Sequence, residues 1–177
     1  ADEPHWRLLP GEPNPLMENS YGGKLLKFGL MYEIQIPEPH GPTAEQDQYN
    51  QVLAQVELAD EVGFDYFWTV EHHFLREFSH CSAPEVLYGA ISQRTKRIRI
   101  GQMATVLPAR NPILVAEDLA MLDHFSEGRM FTGFARGYQA RHVTTIGQKN
   151  GAVATFATDP DYATNDARNR ELFQESY

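Results

Sequence analysis

Four apolar or aromatic runs, each separated from the next by a segment with helical spacing, recur along this chain. Strict strand–helix alternation of this kind narrows the fold to a parallel sheet covered by helices. The first run, "LLKFGLMYE" (25–33), is short and apolar enough for a buried strand. The turn-rich "IPEPHGPT" follows and ends at Thr43, which with Gln46 reads as a T-x-x-Q capping box. Tyr49, Val52, Leu53, Val56, Ala59 and Val62 then keep three- and four-residue spacings, one apolar helical face, and Gly63 supplies the stop. The second unit is "FDYFWTV" (64–70), followed by a Ser82/Glu85 capping box that opens "APEVLYGAISQRT". A third strand, "RIRIGQMATVLP" (97–108), precedes Asn111 and Pro112, an N-cap with proline at the first helical position. That helix, "PILVAEDLAMLDHFS", is closed by Gly128 before a fourth strand, "RMFTGFARG". Two architectures satisfy this order: an open doubly wound sheet or a closed (β/α)8 barrel.

The flanks are less regular. Residues 1–24 contain Pro4, Pro10, Pro13, Pro15, Gly22 and Gly23 without periodicity, and read as an extended leader or an added segment. Residues 138–165 are rich in small and polar residues and read as a long loop or excursion, after which "DARNRELFQESY" begins another helix.

Charge and cysteine content exclude several functions. The formal charge is −9 and the longest basic run is "RTKRIR" (94–99), so no basic face for nucleic acid is expected. Cys81 is alone, which rules out an internal disulfide or a multi-cysteine metal site and fits a reducing compartment. With no apolar stretch of membrane-spanning length and no signal-peptide core, the expected location is cytoplasmic, without membrane association.

Chemistry concentrates at two strand ends. "WTVEHHF" (68–74) places Glu71, His72 and His73 at the carboxyl end of the second strand, where parallel α/β folds gather ligands and catalytic groups. Alternation directs Glu71 and His73 to one side and His72 to the other. One histidine serving a structural hydrogen bond is the bland reading. A metal site using Glu71 and His73 is a further one, disfavoured because no second acid-histidine cluster marks another strand end. In "GFARGYQ" (133–139), Gly133 and Gly137 permit close backbone approach to a ligand, and Arg136 offers a donor fork suited to phosphate. Its bland counterpart is a surface ion pair flanked by turn glycines.

Taken together, "YFWTVEHHF", "RTKRIRIGQMATVLP" and "NPILVAEDLAMLDHFSEGRMFTGFARGYQ" resemble, in order and spacing, the amino-terminal half of the bacterial luciferase-like, flavin-dependent monooxygenases. The resemblance runs from about Lys27 to the end. It implies a (β/α)8 TIM barrel with FMN at the carboxyl ends of its strands. It further implies that reduced FMN, supplied by a flavin reductase, reacts with O2 as co-substrate to form a C4a-peroxide that oxygenates a small organic molecule. By the same resemblance His72 is the active-site histidine and His73 its motif neighbour. Glu71 reads either as orienting an imidazole by hydrogen bonding or as a carboxylate paired with a strand-end lysine or arginine. Arg136 corresponds to the flavin-phosphate arginine, with Ala135 and Gly137 beside it. Met103 and Ala104 match a strand end that often carries a non-proline cis peptide against the flavin ring.

Two features depart from that pattern. Ala135 stands where the light-emitting members carry a reactive cysteine, so light emission is not expected. Four strands are visible where a barrel needs eight, so only about the first half of the barrel is expected here. A remainder that is cleaved or absent is the favoured expectation, ahead of a separate chain or a second copy. The resemblance also implies a homo- or heterodimer. Besides the FMN-dependent enzyme, two readings stay open: a non-catalytic flavin-binding or subunit-stabilising partner, and a deazaflavin-dependent oxidoreductase.

Overall fold

The computed structural model describes Ser20, Tyr21 and residues 24–177 apart from Tyr138, Phe156 and Ala157, so the expected leader lies almost wholly outside the described residues. Its end contributes a small antiparallel pair, β1 (Ser20–Tyr21) with β2 (Lys24–Leu25).

Every expected strand forms. β3 (Gly29–Tyr32), β4 (Tyr66–Thr69), β5 (Arg99–Val106) and β6 (Met130–Ala135) make one parallel sheet in the order β3-β4-β5-β6. Three helices connect them: α1 (Ala44–Val62), α2 (Pro84–Arg94) and α3 (Pro112–Phe125). A doubly wound sheet reverses its strand order and carries helices on both faces. Here the order advances in one direction. The core also lies on one face, where Val52, Val56 and Ala59 of α1, Tyr88 and Ile91 of α2 and Leu122 of α3 pack on Phe67, Ile98 and Ile100. Burying each large side chain in this cluster contributes about 1.5–3 kcal/mol.

Side chains alternate across a strand. Phe67 and Thr69 of β4 are fully buried toward the helices. On the opposite face Trp68 stacks edge-on against Phe131, centroids 4.4 Å apart, and Tyr66 joins them. Gly101 lies between these rings, since a Cβ there would collide with both Phe131 and Trp68. Met31 and Met103, 52% and 43% exposed, extend this apolar face.

Helix boundaries correct two expectations. Thr43 does precede α1, but its own φ/ψ of −99°/−2° is already helical, and its hydroxyl bonds Asp47 Oδ2 at 2.9 Å instead of a helix N–H. A capping box requires an extended N-cap that folds its oxygen back on the first turn, so no box forms with Gln46. The Ser82/Glu85 box is absent too: α2 starts after Ala83 with Pro84 in its first turn, and Glu85 is taken by Arg110. Asn111 caps α3 as expected, accepting the Ile113 N–H at 2.9 Å, and Gly63 closes α1 with φ +93°.

A third expectation is only partly met. The segment 138–165 contains α4 (Ala140–Thr145) and a 3-10 turn (Gly147–Asn150), and α5 begins early, at Tyr162, and runs to Ser176. Short polar helices lack the apolar periodicity that reveals longer ones. One further tie was not legible. Buried Asp60, near the end of α1, accepts N–H groups from Lys96, Arg97 and Ile98 at 2.6–2.8 Å, fixing the approach to β5. Among the described residues, no helix is long and apolar enough to cross a membrane.

Candidate functional site at the strand ends

Parallel register brings the carboxyl ends of β3 and β4 side by side, with Tyr32 opposite Thr69. Glu33 and the Glu71–His73 triplet therefore leave the sheet as neighbours. The triplet then divides as strand alternation demands. His72 Nε2 lies 3.4 Å from Glu33 Oε2, while His73 Nε2 contacts Glu71 Oε1 at 3.0 Å. The backbone N–H of His72 bonds Cys81 O at 2.8 Å, and its ring meets Phe78, centroids 5.6 Å apart. Burial pushes the His72 pKa below the ordinary imidazole value, and the Glu33 carboxylate pulls it back up. Glu33 Oε2 is buried and makes no hydrogen bond of good geometry, so it acts on His72 through its charge at 3.4 Å.

Behind this pair lies a second cluster. The Glu71 carboxylate is nearly inaccessible, and its Oε2 accepts the Val106 N–H at 3.3 Å with Arg110 Nη1 3.9 Å away. Arg110 also pairs with Glu85 and reaches Asp118 at 3.5 Å. From α4, His142 stacks beside His73 with centroids 4.4 Å apart, its Nε2 3.9 Å from Glu71 Oε1. Burial, reinforced by the charge of His73, lowers the His142 pKa to about 4. Its imidazole is therefore neutral at physiological pH.

Met103 and Ala104 lie inside β5, short of its end at Val106, and the peptide between them is cis. The register of β5 against β6 shifts between Gln102 and Thr105 at the same place.

At the end of β6, Arg136 is 41% exposed on its side chain and forms an ion pair with Asp166 of α5. Asp166 also binds Arg170 at 2.8 and 2.9 Å, and hydrogen bonds from Arg170 and then Arg136 hold its pKa below the usual carboxylate range. Ala135, Arg136, Gly137, Tyr162 and Asp166 border a cavity of about 450 Å³. The two glycines serve chain packing. Gly137 has φ +76° and its absent Cβ would run into Val106, while a Cβ on Gly133 would press on Gln102 O at 3.3 Å. Glu71, His72, His73 and Arg136 thus follow strand ends, whereas Met103 and Ala104, expected at a strand end, lie inside β5, because the ladder to β6 resumes at Thr105 and Val106. Glu33, His142 and Asp166 are the members sequence reasoning missed. Glu33 had a readable signal, an acid one residue past an apolar strand, whereas His142 and Asp166 come from elements with weak periodicity.

Comparison with known proteins accounts for this arrangement. The family described as luciferase-like monooxygenase matches residues 26–174. Limonene 1,2-monooxygenase of Rhodococcus erythropolis is 40% identical over 98 residues, which cover 55% of this chain and 25% of that protein. The alkanal monooxygenase alpha chain of Photorhabdus laumondii is 36% identical over 90 residues, 51% of this chain and 25% of its own. The oxygenating constituent of 3,6-diketocamphane monooxygenase from the CAM plasmid of Pseudomonas putida, solved with FMN, superposes with a TM-score of 0.69 at 21% identity. That superposition covers 85% of this chain and 37% of the other, and speaks to fold. The matched stretch spans about a quarter of the curated relatives' length. With 26–174 matched and one-way β/α alternation in place, the chain belongs to the luciferase-like monooxygenase family.

Proposed function

We propose that this chain forms the amino-terminal wall of a (β/α)8 barrel that uses reduced FMN and O2 to oxygenate a small organic substrate. The observation that carries this reading is the His72–Glu33 pair, a titratable imidazole at a strand end bordering an exposed apolar sheet face. Oxygen transfer needs a dry apolar wall with few, well-placed polar groups. Trp68, Met31, Met103 and Phe131 supply the wall.

The residues present fit the cofactor. A flavin ring needs an apolar platform, and its phosphate needs a cation. Arg136 borders the cavity, and Asp166, which pairs with it there, is also held by Arg170. Bound FMN in its reduced form supplies two electrons, one atom of O2 entering the substrate and the other leaving as water. His72 is the catalytic residue of this chain: it accepts or donates a proton at the substrate oxygen, and Glu33 stabilises its charged form. Glu71 and His73 act as positioning residues that hold the end of β4.

Completion of the barrel falls to the family's carboxyl-terminal half, as a continuation or a second polypeptide, because Met31 and Met103 leave the sheet face exposed among the described residues. A flavin reductase as the source of reduced FMN, a dimer built through barrel helices and a cytoplasmic setting follow from the family and belong to the same proposal. The Arg136–Asp166 ion pair favours a second reading, a non-catalytic assembly partner whose phosphate arginine is already engaged.

Incorporation of 18O from 18O2 into a panel of aldehydes, ketones and monoterpenes, with reduced FMN supplied, tests the proposal on the chain together with any co-purifying polypeptide. His72→Asn should lower turnover at least about a hundredfold while FMN affinity holds. Unchanged turnover would remove His72 from catalysis, and absence of both flavin binding and oxygenation would leave the assembly role.

A further inference from the structure

Glu71, His73 and His142 bring three ligand atoms within 4.8 Å of one another, beneath the carboxyl end of β4. Two imidazoles and a carboxylate are the donors that zinc-type cations select, at about 2.0–2.2 Å each. Tetrahedral geometry then separates neighbouring ligand atoms by roughly 3.4 Å. The two contacts to Glu71 Oε1, 3.0 Å from His73 and 3.9 Å from His142, bracket that spacing.

Hydrogen bonding inside the protein leaves this cluster unsatisfied. The His73–Glu71 contact alone would make a conventional buried pair, but His142 Nε2, in a residue only 2% exposed, has no hydrogen-bond partner. Buried polar atoms are nearly always paired, so an orphaned nitrogen facing a carboxylate calls for an explanation. A cation supplies one: the lone pair of His142 becomes a ligand, and both imidazoles share Glu71 through the metal.

The surroundings suit a cation. Glu71 keeps a second-shell hydrogen bond from Val106 N–H to its other oxygen. Arg110, the positive group nearby, is compensated by Glu85 and Asp118, whose combined charge exceeds its own by one unit. That excess balances the single positive charge left on a divalent ion bound by one carboxylate. We propose that Glu71, His73 and His142 form a site for a zinc-type divalent cation that staples α4 to the end of β4, with the fourth position open to water. The site is independent of the oxygenation reading.

Zn2+ titration of the purified chain, stripped with EDTA and dialysed, tests the site by calorimetry and metal analysis. One Zn2+ per chain is expected, with no uptake of Mg2+. His142→Gln and His73→Gln should each weaken Zn2+ affinity by at least about a hundredfold, whereas a His40→Ala/His80→Ala double variant, removing two imidazoles that face each other with centroids 6.2 Å apart and take no part in this cluster, should bind as before. Wild-type chain loaded with Co2+ provides a readout independent of how the variants fold: the visible bands of a four-coordinate site should appear. Failure of the wild-type chain to take up stoichiometric Zn2+, equal affinity in the His142→Gln variant, or a six-coordinate Co2+ spectrum would each overturn the proposal.

Discussion

His72 Nε2 and Glu33 Oε2 lie 3.4 Å apart across the ends of two adjacent parallel strands. Glu33 directly follows Tyr32 and His72 lies three residues past Tyr32's ladder partner Thr69, so sheet register brings the two segments together and the His72 N–H bond to Cys81 O fixes the turn. The opposing effects on His72, burial lowering its pKa and Glu33 raising it, make this contact adjustable by substitution.

Removing the Glu33 charge deletes the raising influence and leaves the desolvation that lowers. In the metal-free Glu33→Gln chain the His72 midpoint should therefore fall below that of wild type, as read from the pH titration of its ring protons by NMR. An unchanged or raised midpoint would mean that the carboxylate does not act on His72.

His142 makes the metal-free fold sensitive to acid. Its folded pKa of about 4 lies below the ordinary 6.5, so between these values the unfolded chain binds a proton that the native chain does not. Stability consequently falls as pH drops from about 6.5 towards about 4, by about 3 kcal/mol across the window. Urea midpoints in EDTA at pH 7 and pH 4.5 should separate less in His142→Gln than in wild type. Equal separation would show that other groups dominate acid unfolding.

Asp60 satisfies three backbone N–H groups at the entry to β5. Asp60→Ala leaves those donors without their acceptor in a buried setting and should destabilise the chain by at least about 3 kcal/mol. A melting temperature within a few degrees of wild type would mean that water replaces the carboxylate.

Arg136 and Asp166 make opposite predictions for flavin. Arg136→Ala should weaken FMN binding about tenfold, the value of a charge-assisted hydrogen bond, and Asp166→Asn, which frees the guanidinium, should strengthen it. Riboflavin, lacking the phosphate, should bind all three chains alike. Matching effects on riboflavin and FMN would place the arginine away from the phosphate.

Much of this architecture was readable because its signals are local. A strand needs a short β-branched or aromatic run, and Asn111–Pro112 and Gly63 mark helix ends through backbone geometry that few other residues favour. The capping boxes failed for an equally local reason: a motif supplies the oxygen, but φ/ψ at Thr43 and the start of α2 at Pro84 decide where it points. The triplet Glu71–His73 was legible as chemistry, and its split into two sides followed from alternation.

Residue pattern by itself therefore determined the β/α order, the strand-end location of His72, Glu71, His73 and Arg136, and the family resemblance. Only tertiary structure decided between a doubly wound sheet and a one-sided sheet with unreversed strand order, because strand neighbours are chosen by long-range packing. It alone brought Glu33 to His72, His142 to Glu71 and Asp166 to Arg136. Each of those contacts joins residues far apart in the chain, and their energies depend on burial and separation, which no local spacing encodes.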